Sequence, residues 1–435
     1  MVLPAFILPL MIQNNSIDTL SPQLTLCYEN KYYLWQDISA QMIAYCQVNK
    51  TQSKDSFIVY SQDVFLTLLS LLAGFTAKKL VFPTCSDTFY NTISFNQEEQ
   101  QLALAIATSG TQSEPKITLL SRNNIIAHCQ SFNKIIPTKK NSIWLNCLPL
   151  NHIAGVMIVY RCWFHQATLL LHNGFNADKV WHDIQFSSVS HISLVPRMLH
   201  CLLVSAHGNK PPESLQYVLV GGDKLPVDLH QRALSLGWPI YISYGMTEAT
   251  SSIAIGKTTD CLSLLEGFCV QLEPNQVLKI KGDMIFSHYY KKAKRADGDW
   301  FMTQDKVHLQ GQCLQVMARN SHMIISGGES IAPEFIESLF SLDSCLVKDI
   351  AIGRYCDPKD KQYWGDTIVA VFCGELSYLA SWITSNIVKA YRPRLLLSVQ
   401  NIPRNSMGKV DRRALQMIIK DEINRAVPLD FLSAD

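Results

Sequence analysis

The sequence predicts an α/β protein: a large amino-terminal body on stacked, mostly parallel sheets, followed by a small mobile α+β unit. Three observations carry this. Apolar runs of strand length alternate with helix-length periodic segments through most of the 435 residues, as parallel strands buried on both faces require. The texture changes after about residue 266, where short hairpin-like strands replace the alternation. Charged residues make up 17% of the chain and hydrophobic ones 48%, a balance that suits extensive burial and excludes a disordered chain.

In order along the chain, residues 56–61 read as a strand and 64–76 as an apolar helix. Strands follow at 79–82, 102–107, 142–148, 167–171, 191–195, 215–220 and 240–243, with helices between several of them. The helix at 64–76 is too short to cross about 30 Å of hydrocarbon and reads as buried. The apolar start, residues 1–12, lacks a basic flank and a small-residue cleavage site, which argues against a signal peptide. Strands at 277–281 and 311–317 belong to hairpins. A helix starts at Pro333, with Glu334 and Glu337 in its first turns; a strand at 367–373 and a helix at 378–390 complete the tail. The expected boundary divides 1–317 from 318–435.

The formal net charge is +2, and nothing in the sequence resembles a basic nucleic-acid-binding surface or an acidic tail. Thirteen cysteines are scattered without a CxxC pair, which reads as free, mostly buried thiols in a reducing cytoplasm. No stable membrane insertion is expected, and a homo-oligomer is left open.

The stretch ATSGTQSEPK at 107–116 places small and hydroxylated residues after a strand, with exposed amides able to wrap a triphosphate and Lys116 to balance its charge. It is not a Walker A loop. Alone, such a run is more often a surface turn. YGMTE at 244–248 follows a strand, where α/β proteins bind ligands. Tyr244 can stack on a base, Thr247 can bond a phosphate, and Glu248 can hold Mg²⁺. Gly222 and Asp223 follow another strand, and Asp305 in GDWFMTQD can accept from ribose hydroxyls. PRNSMGK at 403–409 places Lys409 on a turn.

These motifs, in this order, together with SGGESIAPEFIE at 326–337, resemble the adenylate-forming superfamily of acyl-CoA synthetases, luciferases and peptide-synthetase adenylation domains. The resemblance implies a phosphate loop of Thr108, Ser109, Gly110, Thr111 and Lys116. It implies an adenine pocket of Gly222, Asp223, Tyr244, Gly245 and Met246, with Thr247 near the α-phosphate and Glu248 on magnesium. Asp305 and Arg319 would grip the ribose. Lys409 would bridge the substrate carboxylate and the α-phosphate, and Gly327, Gly328 and Glu329 would help shape a pantetheine tunnel for CoA.

PLNHIAGVMIVYRCW at 149–163 resembles the o-succinylbenzoate–CoA ligases of menaquinone synthesis. That resemblance implies ATP, CoA and a small carboxylic acid, o-succinylbenzoate, as substrates. His152 would stand at the inner end of the acyl pocket; a satisfied core histidine is its bland alternative. Arg161, Ser251 and Ser252 could hold a second carboxylate, and Arg197 is a further candidate. A ligase for another aryl or short-chain acid, one loading a carrier-protein thiol, and a non-catalytic nucleotide-binding relative remain alternatives. The chain departs from the family pattern at Ser113, where relatives carry glycine. It departs again at Gln304 and at Ser321, which takes the place of an acidic hinge residue.

Overall fold

The computed structural model describes residues 23–50, 56–60, 63–84, 93–108, 116–296, 298–311, 313–319, 324–326, 329–337, 339–340, 346–356, 366–405 and 408–429. Among them, thirteen strands form one large sheet and five a second. The centre of the large sheet is parallel, in the spatial order Ile240–Met246, Tyr217–Gly221, His191–Leu194, Ile143–Asn146, Thr168–Leu171 and Thr25–Tyr28. Helices Ile153–Phe164, Ala177–Phe186, Pro196–Ser205 and Val227–Ser235 alternate with these strands, so both faces can be covered and the strands can be apolar throughout.

At Ile240–Met246 the direction reverses. Ser251–Thr258 returns antiparallel beside it, and Cys261–Leu264, Cys313–Arg319, Phe301–Gln310, Val277–Lys281 and Cys269–Leu272 continue antiparallel. The second sheet joins the parallel strands Ser56–Tyr60, Leu80–Thr84 and Leu104–Thr108 to the antiparallel Lys116–Leu120 and His288–Tyr289. Helix Val64–Ala77 links its first two strands. Asp63 caps the start, accepting from the Leu66 amide at 2.9 Å, and Lys78 ends it in the left-handed region,. Its residues Thr67–Gly74 are buried, so it is a core helix; among the described residues no helix is long and apolar enough to cross a membrane.

The carboxy-terminal sheet consists of Val347–Tyr355, Thr367–Gly374, Leu395–Ser398 and Val427–Pro428. Period-two alternation sorts its side chains. Ile350, Ile352, Ile368, Ala370 and Phe372 pack with helix Leu376–Asn386. Ala351, Val369, Val371 and Leu397 pack with helix Arg412–Glu422. The main core draws only on residues up to Leu314, with Val316 packed against it; the carboxy-terminal cores begin at Ile324.

Two expectations require correction. The strand read as 240–243 runs on to Met246, with an irregularity at Tyr244/Gly245, because Ser251–Thr258 folds back and pairs with its end. There a Cβ on Gly245 would lie only 1.9 Å from the Ser251 carbonyl oxygen, so this position admits only glycine. The cysteines are not all free thiols: Cys261 and Cys313 form a disulfide between neighbouring strands, with Cα atoms 4.6 Å apart. Their pairing follows from strands 52 residues apart in sequence becoming neighbours, which no local spacing records. Cys27, Cys129, Cys147 and Cys162 are buried free thiols, as expected.

Candidate active site

The candidate residues converge at the carboxyl ends of the parallel strands, where each strand hands over to a loop and backbone groups are left unpaired. Thr108 ends one strand and Lys116 begins the next. The Thr108 hydroxyl donates to the Lys116 carbonyl at 3.0 Å, closing the base of the intervening loop. Ser109, Gly110, Thr111 and Ser113 lie outside the described residues, as do Asn320, Ser321, Gly327 and Gly328.

From that base a polar chain crosses to the turn that follows strand Ile240–Met246. The Lys116 ammonium lies 5.2 Å from the centroid of the Tyr289 ring. The Tyr289 hydroxyl donates to Glu248 Oε1 at 2.8 Å. Glu248 sits in the 3₁₀ turn Thr247–Ala249, and its carbonyl accepts from the Phe286 amide at 2.8 Å. Among the described residues its carboxylate has no ion-pair partner, so a partly buried acid is held at one oxygen by the tyrosine whose ring Lys116 overlies. Its donor chemistry suits a hard cation such as Mg²⁺. Tyr289 was not legible as a site residue, because only the pairing of His288–Tyr289 with Lys116–Leu120 brings it there.

Tyr244 and Asp305 also meet. The Tyr244 hydroxyl donates to Asp305 Oδ2 at 2.7 Å, which fixes the ring that the sequence marks as a base-stacking platform. Asp305 is buried and stands opposite Arg319 in the strand register. Met246 and Thr247 follow on the same chain segment, and Gly245 keeps it close to the returning strand.

Gly222 has φ of +84°, and a Cβ there would lie 2.9 Å from Lys409 Cε and 3.2 Å from Nζ. Lys409, 187 positions later in sequence, therefore reaches the strand ends of the main body. Its loop is a tight turn. The Asn405 amide donates to the Lys409 carbonyl at 2.9 Å, and the Lys409 amide donates to Asn405 Oδ1 at 3.1 Å. Asp223, the next residue after Gly222, bonds the Lys224 amide through Oδ1 at 2.8 Å.

His152 stands at the amino end of helix Ile153–Phe164 without capping it through its side chain. Burial pulls its imidazole down to about 4, and the positive charge of Lys409 pushes in the same direction. The ring is therefore neutral at pH 7, with the Lys409 charge near enough to act on it. The helix beneath it is held against the preceding loop, where a Cβ on Gly155 would lie 2.4 Å from the Pro149 carbonyl oxygen.

Arg161, two turns further along that helix, is a buried cation. Its guanidinium lies 3.6 Å from the Phe132 ring centroid and 5.7 Å from that of Trp144. Nη2 donates to Ser251 Oγ at 3.3 Å, and Nε finds no partner among the described residues. Burial lowers its pKa to about 10, so it stays charged at neutral pH with no carboxylate paired to it among the described residues. Ser252 behaves differently: its hydroxyl bonds Ser243 Oγ at 2.8 Å, and its carbonyl accepts from His128 Nε2 at 3.0 Å. Arg197 has a different partner and donates to Asp349 Oδ2 at 3.1 Å. Glu329 lies in a short hairpin with Ile324–Ser326; for it and Arg319 only the backbone is described.

Comparison with known proteins places this arrangement. Residues 37–284, more than half of the chain, match the family of AMP-binding enzymes. A 2-succinylbenzoate–CoA ligase of Bacillus cytotoxicus is 27% identical over 355 residues, 75% of this chain and 73% of that protein. One from Lactococcus lactis is 26% identical over 340 residues, covering 74% and 73%. Among solved structures, the o-succinylbenzoate CoA synthetase of Bacillus subtilis in complex with its acyl-adenylate intermediate superposes with TM-score 0.78 at 22% identity, covering 94% of this chain and 97% of that one. ATP-bound MatB from Rhodopseudomonas palustris superposes with TM-score 0.79 at 16% identity, covering 95% and 98%. These likenesses show the fold, and the match over residues 37–284 shows the family: the chain belongs to the AMP-binding enzymes.

Proposed function

We propose that this chain is an ATP-dependent acid–thiol ligase, with o-succinylbenzoate, ATP and CoA as substrates. The observation that carries the reading is the approach of the Lys409 side chain to Gly222, within electrostatic reach of His152, which sets a cation where a carboxylate and an α-phosphate would have to approach. A carboxylate oxygen attacks the α-phosphorus, the bond to the β-phosphate breaks, and pyrophosphate leaves. The nucleophile and the phosphate are both anionic, so Lys409 lowers the barrier by charge that is in place before the reaction. In the second half-reaction the CoA sulfur attacks the acyl carbon, AMP leaves, and the thiol proton passes to solvent. Glu248 would hold Mg²⁺, which neutralises phosphate charge when bound. Thr108 and Lys116 would anchor the phosphate loop, Asp305 the ribose and Tyr244 the adenine.

Arg161 supports the dicarboxylic substrate. A buried guanidinium without an acid partner is costly, and a second carboxylate on the substrate would supply one, with Ser251 beside it. The same assignment would divide the chain close to the expected 317/318 boundary, at the end of strand Cys313–Arg319 of the large sheet, into a main body and a cap that would rotate between half-reactions, and it would suit a cytoplasmic protein with access to the ATP and CoA pools. An ATP–pyrophosphate exchange assay across a panel of carboxylic acids, with detection of the CoA thioester, tests it. Exchange driven by o-succinylbenzoate is the expected result. Turnover of a simple aryl acid while o-succinylbenzoate is ignored would remove the substrate assignment, and no exchange with any acid would remove the ligase itself.

A further inference from the structure

Asp349 lies in strand Val347–Tyr355 of the carboxy-terminal sheet and is only 8% exposed. Two arginines share its carboxylate. Arg404 holds it with both ends of its fork, Nη2 to Oδ1 at 2.6 Å and Nε to Oδ2 at 3.1 Å. Arg197, from helix Pro196–Ser205 of the main body, donates Nη1 to Oδ2 at 3.1 Å. Arg404 also donates Nη1 to the carbonyl of Gly408 at 2.8 Å, and Gly408 directly precedes Lys409. A continuous set of charge-assisted bonds thus runs from the main body, through one buried carboxylate, to the peptide bond that carries the lysine.

The two halves of this set differ in kind. Arg404 and Asp349 both belong to the carboxy-terminal unit, so their fork survives any movement of that unit as a rigid body. The Arg197–Asp349 bond joins the unit to the main body and exists only in the docked orientation described here. In that orientation the Lys409 loop also rests on the start of the same helix: a Cβ on Gly408 would be 3.9 Å from Val195 Cγ1's geminal partner, Cγ2, and 4.0 Å from Arg197 Cδ. A second link joins the same two units, with the Lys224 ammonium 5.3 Å from the Phe335 ring centroid.

We propose that Arg197 is a positioning residue for acyl-adenylate formation. Through Asp349 and Arg404 it latches the carboxy-terminal unit in the orientation that presents Lys409 to Gly222, and it has no part in thiol transfer. This rests on the ligase reading above. A ligand-free contact that exists in only one of two orientations biases their populations by its own strength and no more. The Arg197 side chain is 47% exposed, so the bias is that of a partly screened pair, about two- to fivefold, and weakens with salt.

The test uses the full-length protein with Arg197→Ala, Arg197→Glu and Arg197→Lys. Adenylation is followed by ATP–pyrophosphate exchange, and thiol transfer by thioester formation from synthetic acyl-adenylate and CoA. Arg197→Ala should lower exchange about two- to fivefold, Arg197→Glu should lower it further, and Arg197→Lys should restore most of it. Thiol transfer should be unchanged or faster in all three, and high salt should narrow the gap between Arg197→Ala and the parent. Amide hydrogen exchange in residues 404–410 should rise in Arg197→Ala, an outcome read without turnover. Exchange rates equal to the parent, equal loss in both half-reactions, or a raised KM for the acid at constant kcat would each overturn the latch. If the parent shows no adenylation with any acid, the ligase reading falls, and unchanged amide exchange in 404–410 would still decide against the latch separately.

Discussion

Lys409 fills the space that a side chain at Gly222 would need: a Cβ there would stand 2.9 Å from its Cε and 3.2 Å from its Nζ. Gly222 is also in the left-handed region, at φ +84°, where a Cβ adds about 1–2 kcal/mol of strain. The glycine therefore does two things at once, turning the chain after its strand and leaving room for the lysine.

Gly222→Ala should push the lysine tip aside, since the flexible end of a side chain yields before backbone does. The lost alignment should lower adenylation by roughly tenfold to a hundredfold. Lys409→Ala should remove about a hundredfold to a thousandfold of it, and the two changes combined should cost little more than Lys409→Ala alone. Thioester formation from supplied acyl-adenylate should survive all three variants. Exchange kinetics and single-turnover thiol transfer measure both arms, and full additivity would separate Gly222 from Lys409.

The neutral His152 yields a pH prediction with a definite sign. Its pKa falls from 6.5 to about 4, through burial first and the Lys409 charge second; His191 also falls to about 4, through burial. The unfolded chain binds these protons first as pH drops. The stability the two rings contribute is therefore complete above pH 6.5 and is lost as pH falls toward 4, on the order of 3 kcal/mol for each. Urea titrations between pH 7 and 4.5 should show it, with part of the loss removed in His191→Gln. In Lys409→Met, the His152 ring should titrate at higher pH yet stay below 6.5, because burial remains; histidine ring NMR reads this directly.

Arg161→Ala should raise the KM for a dicarboxylic acid by about tenfold to a hundredfold, the scale of one lost charge-assisted contact in a buried site. A monocarboxylic analogue should lose much less. Arg161→Lys should fall between, because a lysine keeps the charge but not the flat stack on Phe132. Equal losses for both acids would assign Arg161 to packing of the helix.

The Cys261–Cys313 bond closes a loop of 52 residues, so its removal should cost about 2–4 kcal/mol of stability. Cys261→Ser should lower the melting temperature and leave the acid preference untouched. A reductant should lower the parent to the same midpoint.

Much of the candidate site was legible in the sequence. The strand-to-loop motifs marked Thr108, Lys116, Gly222, Tyr244, Glu248, Asp305 and Lys409 as candidates, because phosphate and base binding would demand small, hydroxylated and charged residues at strand ends. The orientation of those groups was not legible. Tyr289 holds Glu248 only because the strand His288–Tyr289 pairs with Lys116–Leu120, and Tyr244 meets Asp305 across 61 residues of intervening chain. Arg197 looked like a substrate contact in sequence, yet its partner is Asp349, 152 positions away. Ser252 looked like Ser251, but strand alternation turns its hydroxyl toward Ser243 and away from Arg161.

By itself the sequence determined the alternation of strands and helices, the family and the chemical classes of residue at each strand end. These are encoded locally, in periodicity, in turn residues and in short motifs. Tertiary structure decided which distant residues share a carboxylate, which cysteines join and which glycine makes way for a lysine. Such contacts are set by strand order and by how the carboxy-terminal unit docks, and neither leaves a mark within a few residues of the groups it brings together.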